Sequence, residues 1–547
     1  MDVILVGLPG SGKSAVGRRL AQRHQAPFID LDERIESRAG RRIPEIFAEE
    51  SEAVFRAHER AAIAELGPPD REPAVARVVA TGGGAVVDPR NRWALYRDRL
   101  AVWLDGRPEV LAQRLRRSPN VRPLIVGRDP VFAVRELAAK RERYYSAATV
   151  RINGVPEIHG VLEAVEAAIS AWRNPPTRLL DAETAIGRYV LGEGIAATEI
   201  GAALRRLEAG RAVLVSEPGA WVAAGSGIAA TLAADGWPVE HVLLPQGEDA
   251  KRLAVVEEAA RALARLHVER SEPIVAIGGG ALGDAAGFLA ATYLRGIPFI
   301  QVPTTLVAQI DSAIGGKTGV DLPEGKNLVG AFHQPATIVL DVAVLGSLPD
   351  RQRRAALGEA VKMAALGDER LFELLERDGT GIAAGDEATL ESGALAEVVE
   401  RSGWAKVEVV VADERERGPA DGRIRLNLGH SLGHAFEAAA GFGDLLHGEA
   451  VGYGLRAACA IGEALGVTPP ERARRIGALL DRLGLATSPL PYAVGTVLGH
   501  LAADKKHAAG RLRWVLPTAD GVVVRADVPA DVVERAATGQ LATGSPA

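Results

Sequence analysis

The sequence predicts an α/β protein in three parts: a parallel sheet wrapped by helices over 1–172, a second α/β segment over 179–345, and a mainly α-helical part over 346–547. Three observations carry this. Strand-length apolar runs alternate with helix-length stretches through the first two parts, as parallel sheets covered by helices require. Glycine-rich loops follow two of those runs and open helices. Beyond about residue 346 strand-like runs become scarce, and helical patterns such as RRAALGEAVKMAAL and HGEAVGYGLRAACAIGEALG dominate.

Length and composition bound the possibilities. At 547 residues the chain is too long for one small binding module. A hydrophobic content of 47% and a charged content of 24% describe a globular protein and exclude disordered and fibrous classes. The single cysteine, Cys459, rules out an internal disulfide and a cysteine-rich metal site, so a transition metal would be held by histidines and carboxylates. The opening apolar stretch in MDVILVGLPGSGKS is too short and too glycine-rich to read as a signal peptide, and no run of 18 or more apolar residues follows, so a cytoplasmic location and no membrane partner are expected. Nor is a nucleic-acid partner expected.

Charge is unevenly spread about a net of -6: residues 1–172 hold 27 basic and 23 acidic residues, leaving 37 against 47 beyond them. Only nine of the 64 basic residues are lysine. In a chain so biased to arginine, surviving lysines are enriched where a compact ammonium is needed. Eight of the nine, all but Lys140, fall within the candidate sites below.

Along the first part, VILVGL, VVATGG and LAVWL read as strands. The first leads into Gly7-Leu8-Pro9-Gly10-Ser11-Gly12-Lys13-Ser14 and then the helical stretch SAVGRRLAQRH. This strand, loop and helix is a P-loop, in which backbone N–H groups close around phosphates, Lys13 reaches the β- and γ-phosphates of ATP and Ser14 holds Mg²⁺. Gly10, Ser11, Gly12, Lys13, Ser14 and Ala15 are therefore the expected ATP contacts. Asp30 and Asp32 in FIDLD read as two carboxylates on one side of a strand end, one for Mg²⁺ or a hydroxyl proton and one for a hydroxylated acceptor. Thr81-Gly82-Gly83-Gly84 would let a substrate approach bare backbone. Arg56, Arg122 and Arg141 are cations suited to a carboxylate or a phosphoryl group in transfer.

In the order GLPGSGKS, FIDLD, FRAHE, TGGG, WLD, VRPL and KRERYY, the first 172 residues resemble shikimate kinase. The resemblance implies that Asp32, Arg56, Gly83 and Arg141 bind shikimate, that Asp30 lies on the Mg²⁺ side, and that Arg122 closes over ATP. The chain departs from the family at Glu142-Arg143-Tyr144-Tyr145, where a proline and leucine usually precede the tyrosine.

Pro175-Pro176 after a fading helical pattern marks a linker over 173–178. The second part offers AVLVSE, VEHVLL, PIVAIGGG, PFIQVP and ATIVLD as strands. Gly278-Gly279-Gly280-Ala281-Leu282-Gly283 satisfies G-x-G-x-x-G between a strand and a helix, the pattern that holds a dinucleotide pyrophosphate. The carboxylate expected about 20 residues later for the ribose is missing, so the reading is a dinucleotide site that is Rossmann-like but not an ordinary Rossmann fold. Glu248 and Lys251 in QGEDAK, with Thr304, Thr305 and Asp311, supply polar groups on the same side. In the helical part, His430 and His434 stand four residues apart on one helix face, His447 adds a third imidazole, and Glu359 sits in LGEAVK. A glutamate and two of these histidines make a plausible catalytic zinc set.

Over about 179–540 the chain resembles 3-dehydroquinate synthase, through PQGEDAK, IGGGALGDAAGF, the long run YLRGIPFIQVPTTLVAQIDSAIGGKTGVD, GKNLVGAF, GEAVK, LNLGHSLGHAFE, LHGEAV and DKKH in family order. The resemblance selects Glu359, His430 and His447 as ligands of Zn²⁺ or Co²⁺ and gives His434 a proton-transfer role. It places Lys317, Lys326, Asn327, Lys362, Lys406, Arg423, Asn427 and one of Lys505 or Lys506 around the substrate. Gly278 to Gly280, Asp284, Glu248, Lys251, Thr304, Thr305 and Asp311, together with Lys317 and Lys326, are implied to hold NAD.

The two resemblances imply one enzyme with two activities of the shikimate pathway: ATP-dependent phosphorylation of shikimate, and cyclisation of 3-deoxy-D-arabino-heptulosonate 7-phosphate to 3-dehydroquinate with loss of phosphate. A homodimer through the synthase half is also expected. The alternatives are another small-molecule kinase, fused to another sugar phosphate cyclase or to a metal-dependent polyol dehydrogenase.

Overall fold

The computed structural model describes residues 1–69, 74–117, 129–153, 157–416, 422–441, 443–507 and 512–542, excepting the side chains of 503–507. The chain divides into two compact units, 1–183 with 189–195, and 184–188 with 196–547.

In the first unit, the central strand Asp2–Val6 pairs in parallel with Arg77–Ala80 and Leu100–Asp105. Phe28–Asp30 and Val150–Asn153 extend the sheet on either side, also in parallel. Every residue of DVILV is buried, which explains why VILV reads as an unbroken apolar run: a central parallel strand is covered on both faces, and Asp2 at its start is paired with Arg77 and Arg99. The helix Lys13–His24 lays Val16, Leu20 and Ala21 into the core formed with Val3, Leu5, Val78 and Val102. Leu20→Ala would leave a cavity there at a cost of about 2–5 kcal/mol. Gly7, between strand and helix, has φ 146°, and a Cβ on it would stand 2.6 Å from the Leu104 carbonyl oxygen, so only glycine lets the chain turn here.

Residues 172–176 carry no regular structure, and a hydrogen-bonded strand pair, Thr177–Thr184 and Gly187–Glu193, follows. The division between the units runs through this hairpin. Arg92, fully buried, donates through Nε to the Leu179 carbonyl at 2.8 Å and lies 4.2 Å from the Tyr144 ring centre.

In the second unit the five sequence-predicted strands appear as Ala212–Ser216, Val239–Leu243, Ile274–Gly278, Phe299–Pro303 and Thr337–Asp341, and their neighbours pair in parallel. Numbered along the chain, they lie in the order 5-4-3-1-2. Read from the other edge this is 2-1-3-4-5, a doubly wound sheet whose order reverses between Ala212–Ser216 and Ile274–Gly278. Ligands of such sheets bind beyond the carboxyl ends of the strands at that reversal. An antiparallel hairpin, Lys317–Leu322 with Gly325–Phe332, packs on the helix Gly280–Thr292.

The helical part comprises Asp350–Ala365, Glu369–Ala384, Ala394–Ala412, His430–Ala439, His447–Ala464, Pro470–Arg482, Val494–His507 and further, shorter elements. Glycines set its closest approaches. A Cβ on Gly448 would stand 1.8 Å from the Ala355 carbonyl oxygen, and one on Gly454 would stand 1.8 Å from that of Gly429. These contacts draw the helices Asp350–Ala365 and His430–Ala439 onto His447–Ala464. Among the described residues, no helix is long and apolar enough to cross a membrane.

Candidate active sites

In the first unit the P-loop closes on itself around Lys13, whose Nζ donates to the carbonyls of Gly7 at 2.8 Å and Leu8 at 3.1 Å. Gly10, Ser11 and Gly12 precede the helix that opens at Lys13, Ser14 and Ala15, so the helix N-terminus and the ammonium face the same loop. Ser14 Oγ donates to Asp30 Oδ2 at 2.6 Å, which brings together the two groups expected on the Mg²⁺ side.

The acidic pair differs from expectation in how it forms. Asp30 ends its strand and caps the helix Leu31–Ala39, its Oδ1 accepting from the Asp32 N–H at 3.1 Å. Asp32 thus lies in the first helical turn and not on the strand, because a short carboxylate at a helix start bonds the free N–H groups there. Its carboxylate still faces the glycine loop: a Cβ on Gly82 would stand 2.7 Å from Asp32 Oδ1. The Gly83 carbonyl accepts from Arg141 Nη1 at 2.8 Å and from the Tyr145 hydroxyl. Arg56 lays its guanidinium against Gly84 and pairs with Glu59 and Glu52, each at 2.9 Å. Asp32, Arg56, Gly83 and Arg141 therefore gather round one loop. Arg122 lies outside the described residues.

Glu59, absent from the sequence reading, is almost fully buried there. Burial pushes its carboxyl above the usual range, and the Arg56 guanidinium opposes this only in part. Its position three residues after Arg56 in FRAHE was the available signal.

In the second unit Gly278 to Gly280 stand at the strand reversal. The Gly279 N–H donates to Glu217 Oε1 at 3.1 Å, while Glu217 Oε2 accepts from Gly247 N–H at 2.7 Å and Gln246 Nε2 at 2.8 Å. Glu217, at the end of the AVLVS strand, was also not singled out from the sequence; a lone acid after a strand carries little signal. A Cβ on Gly279 would come 3.3 Å from Thr305 Cγ2, and one on Gly280 would come 2.6 Å from Ser312 Oγ, so side chains here would fill the loop. This bare backbone cradle at a helix N-terminus fits a dinucleotide pyrophosphate. The Thr304 N–H donates to the Gly278 carbonyl at 2.9 Å, and Thr305 Oγ1 accepts from Ala308 N–H at 3.3 Å. Lys251 pairs with Asp284 at 2.9 Å and also meets Asn327. Burial pushes the Asp284 carboxyl up to about 6 despite that ammonium.

A cavity of about 610 Å³ lies beside this region, lined among others by Asp284, Asp311, Lys317, Asn327, Lys362, Lys406, Arg423, Asn427, His430, His434 and His447. Asp311 ties two of its lysines: Lys406 Nζ is 2.8 Å and Lys362 Nζ 3.4 Å from Asp311 Oδ1. Burial works against ionising Asp311, but the two ammonium groups outweigh it and hold the carboxyl well below the usual range. Lys317 pairs with Glu416, and Arg423 donates to the carbonyls of Glu414 and Gly315. Lys326 reaches Glu437 at 3.1 Å and Glu248 at 3.4 Å. The side chains of Lys505 and Lys506 lie outside the described residues.

The histidines meet at one end of this cavity. His430, His434 and His447 bring ligand nitrogens within 4.8 Å of one another. Glu359, fully buried, joins them: its Oε1 is 3.4 Å from His430 Nε2 and 3.2 Å from His447 Nε2. Lys362 touches its other oxygen. Glu359 is thus a fully buried carboxylate with one oxygen among imidazoles and the other against an ammonium, and a carboxylate with imidazoles is a donor set that fits a divalent metal. Geometry thus gathers four candidate ligands where the sequence reading selected three, with His434 the additional one. Burial pushes the His430 imidazole down to about 3. Burial also opposes charging of His447, but with no metal between them the Glu359 and Glu437 carboxylates beside its two ring nitrogens outweigh this and push it up to about 10.

A shikimate kinase family model matches residues 9–164, and models of the N-terminal and C-terminal parts of 3-dehydroquinate synthase match 241–355 and 356–507. The 3-dehydroquinate synthase of Symbiobacterium thermophilum is 44% identical over 349 residues, which cover 63% of this chain and 94% of that protein. The chain belongs to the 3-dehydroquinate synthase family. Fused ahead of the synthase portion is a shikimate kinase domain, so the chain is a two-enzyme fusion. The synthase portion also resembles solved sugar phosphate cyclases. A 2-epi-5-epi-valiolone synthase from Streptomyces hygroscopicus, with NAD⁺ and Zn²⁺ bound, is 30% identical with a TM-score of 0.55, over 60% of this chain and 90% of that one. A 2-deoxy-scyllo-inosose synthase with carbaglucose-6-phosphate, NAD⁺ and Co²⁺ is 25% identical with a TM-score of 0.57, over 67% of this chain and all of that one.

Proposed function

We propose that this enzyme transfers the γ-phosphoryl group of ATP to shikimate in its kinase domain and converts 3-deoxy-D-arabino-heptulosonate 7-phosphate to 3-dehydroquinate and phosphate in its synthase portion. The observation that carries the second reaction is one cavity with three histidines at one end, Glu359 buried against two of them, and Lys317, Lys362, Lys406 and Arg423 around it. A substrate bearing both a phosphate and a carboxylate needs such a ring of cations. Bound NAD would take up and return a hydride, and Zn²⁺ or Co²⁺ on Glu359, His430 and His447 would polarise the reacting hydroxyl.

The chain's own groups orient the substrate. Lys317, Lys326, Asn327, Lys362, Lys406, Arg423, Asn427 and one of Lys505 or Lys506 hold its phosphate, carboxylate and hydroxyls. His434 moves the proton near the phosphate. Gly278 to Gly280, Asp284, Glu248, Lys251, Thr304, Thr305 and Asp311 hold the dinucleotide, with Lys317 and Lys326 beside it.

In the kinase domain Arg56 and Arg141 pair with the shikimate carboxylate, and Asp32 orients the attacking hydroxyl at the bare backbone of Gly83. Lys13 and Arg122 neutralise the charge that develops on the phosphoryl oxygens, while Ser14 and Asp30 hold the Mg²⁺ that accompanies ATP. We place the enzyme in the cytoplasm, which its one buried cysteine suits. A homodimer through the synthase portion is the proposed assembly, which light scattering would check.

The test supplies purified enzyme with the heptulosonate phosphate and a trace of NAD. Many turnovers of phosphate release without accumulating NADH are expected. Stoichiometric NADH would mark a polyol dehydrogenase, and faster turnover of a different heptulose phosphate would mark another cyclase.

A further inference from the structure

Glu437 is a buried carboxylate to which none of the steps above gives a task. It lies one turn beyond His434 on the helix His430–Ala439 and is only 8% exposed. Its two oxygens face different partners. Oε2 is 3.0 Å from His447 Nδ1, and Oε1 is 3.1 Å from Lys326 Nζ. His447 opens the helix His447–Ala464 and turns its other nitrogen, Nε2, toward Glu359 at 3.2 Å. Lys326 stands on the strand Gly325–Phe332 of the hairpin beside the dinucleotide cradle. One carboxylate therefore joins a metal-type imidazole on one element to a phosphate-type ammonium on another.

The chemistry of imidazole gives this arrangement a direction. An imidazole that donates its Nδ1–H to a carboxylate is held as one tautomer, with the Nε2 lone pair free to bind a metal, and its ring orientation is fixed by the same bond. We propose that Glu437 is a positioning residue of the synthase portion. It presents His447 Nε2 to the metal and at the same time, with Glu248, anchors Lys326, so that one side chain touches both the metal ligand and the cation that meets phosphate or cofactor. This rests on the reading of Glu359, His430 and His447 as metal ligands.

The test strips the full-length protein of metal and titrates Co²⁺ against a chromophoric chelator, following the visible Co²⁺ spectrum. Glu437→Ala should weaken Co²⁺ binding about 10- to 100-fold and alter the spectrum. Glu437→Gln keeps an oxygen that can accept from Nδ1–H but loses the charge that holds Lys326. It should weaken Co²⁺ several-fold and raise the KM for the heptulosonate phosphate more than it lowers kcat. If Glu437→Ala fails to fold, judged by circular dichroism of the metal-free protein, the isosteric glutamine variant decides alone. Co²⁺ affinity within twofold of the unmodified enzyme for every folded variant, with His447→Ala abolishing tight binding, would overturn the inference and leave the metal site standing. Tight binding that also survives His447→Ala would overturn the metal-site reading itself, and this inference with it.

Discussion

Gly358 and Gly448 meet without side chains between them: a Cβ on Gly358 would stand 2.2 Å from the Gly448 carbonyl oxygen. Their chain neighbours are Glu359 and His447, whose Oε1 and Nε2 lie 3.2 Å apart. The close approach of two helices is thus what brings two proposed metal ligands within reach. Gly429 and Gly454 do the same for His430, for Gly429 precedes it at φ 77°, a left-handed conformation that favours glycine.

Gly448→Ala should therefore act on the metal site through packing. Its methyl group would meet the Ala355 carbonyl oxygen at 1.8 Å, so the helices must separate, at about 1–3 kcal/mol. Metal titration should show at least tenfold weaker Co²⁺ binding with a matching loss of phosphate release from the heptulosonate, while shikimate phosphorylation continues. Unchanged metal affinity in this variant would mean that helix approach does not set the site.

The Arg92 contact predicts where the kinase domain ends as a folding unit. A fragment 1–174 loses the Leu179 carbonyl that accepts from this buried guanidinium at 2.8 Å, and 1–195 keeps it. A hydrogen bond from a charged group contributes about 1.5–3 kcal/mol, so urea unfolding followed through shikimate kinase activity should show a lower midpoint for the shorter fragment. Equal midpoints would show that the hairpin adds nothing to the kinase.

Asp284 predicts a pH dependence. Its folded-state carboxyl is pushed up to about 6, above the ordinary 3.8, chiefly because its half-buried site withdraws it from water, which outweighs the Lys251 ammonium. The folded protein therefore holds a proton that the unfolded chain releases. The stability this contributes is fully present below about pH 4 and lost as pH rises through about 6, a change on the order of 1–3 kcal/mol. Denaturant melts of the unmodified protein and Asp284→Asn at pH 4 and pH 7 should show the difference between them moving against the unmodified protein as pH rises. A constant difference would contradict the raised carboxyl.

Much of this architecture was legible in the sequence because period and punctuation coincide. DVILV followed by GLPGSGKS, and PIVAIGGG followed by a helix, place apolar strands directly before glycine loops, and both loops stand where those motifs expect. The scarcity of lysine was equally informative: Lys251, Lys362 and Lys406 are buried against carboxylates. What was hidden depends on chain-distant packing. The hairpin strand Gly325–Phe332 does not announce itself because its apolar residues do not follow a period of two and Leu328 and Phe332 are exposed. Asp32 was misplaced onto a strand because a helix-capping aspartate and a strand-end aspartate look alike in FIDLD. Glu217 and Glu437 acquire meaning only from partners such as Gly279 and His447, which other elements bring to them, whereas Glu59 pairs with Arg56 on its own helix and could have been read from FRAHE.

The central claim is that one chain carries two activities in sites that share no residue. It is tested most directly by measuring ATP-dependent shikimate phosphorylation and phosphate release from 3-deoxy-D-arabino-heptulosonate 7-phosphate on the same preparations of the full-length protein, its Lys13→Ala variant and its His447→Ala variant. The expected result is a double dissociation: Lys13→Ala loses only the first reaction, His447→Ala loses only the second, and a metal chelator with Mg²⁺ restored reproduces the His447 pattern. Loss of both reactions from either folded variant, or failure of the unmodified chain to catalyse one of them, would contradict the account.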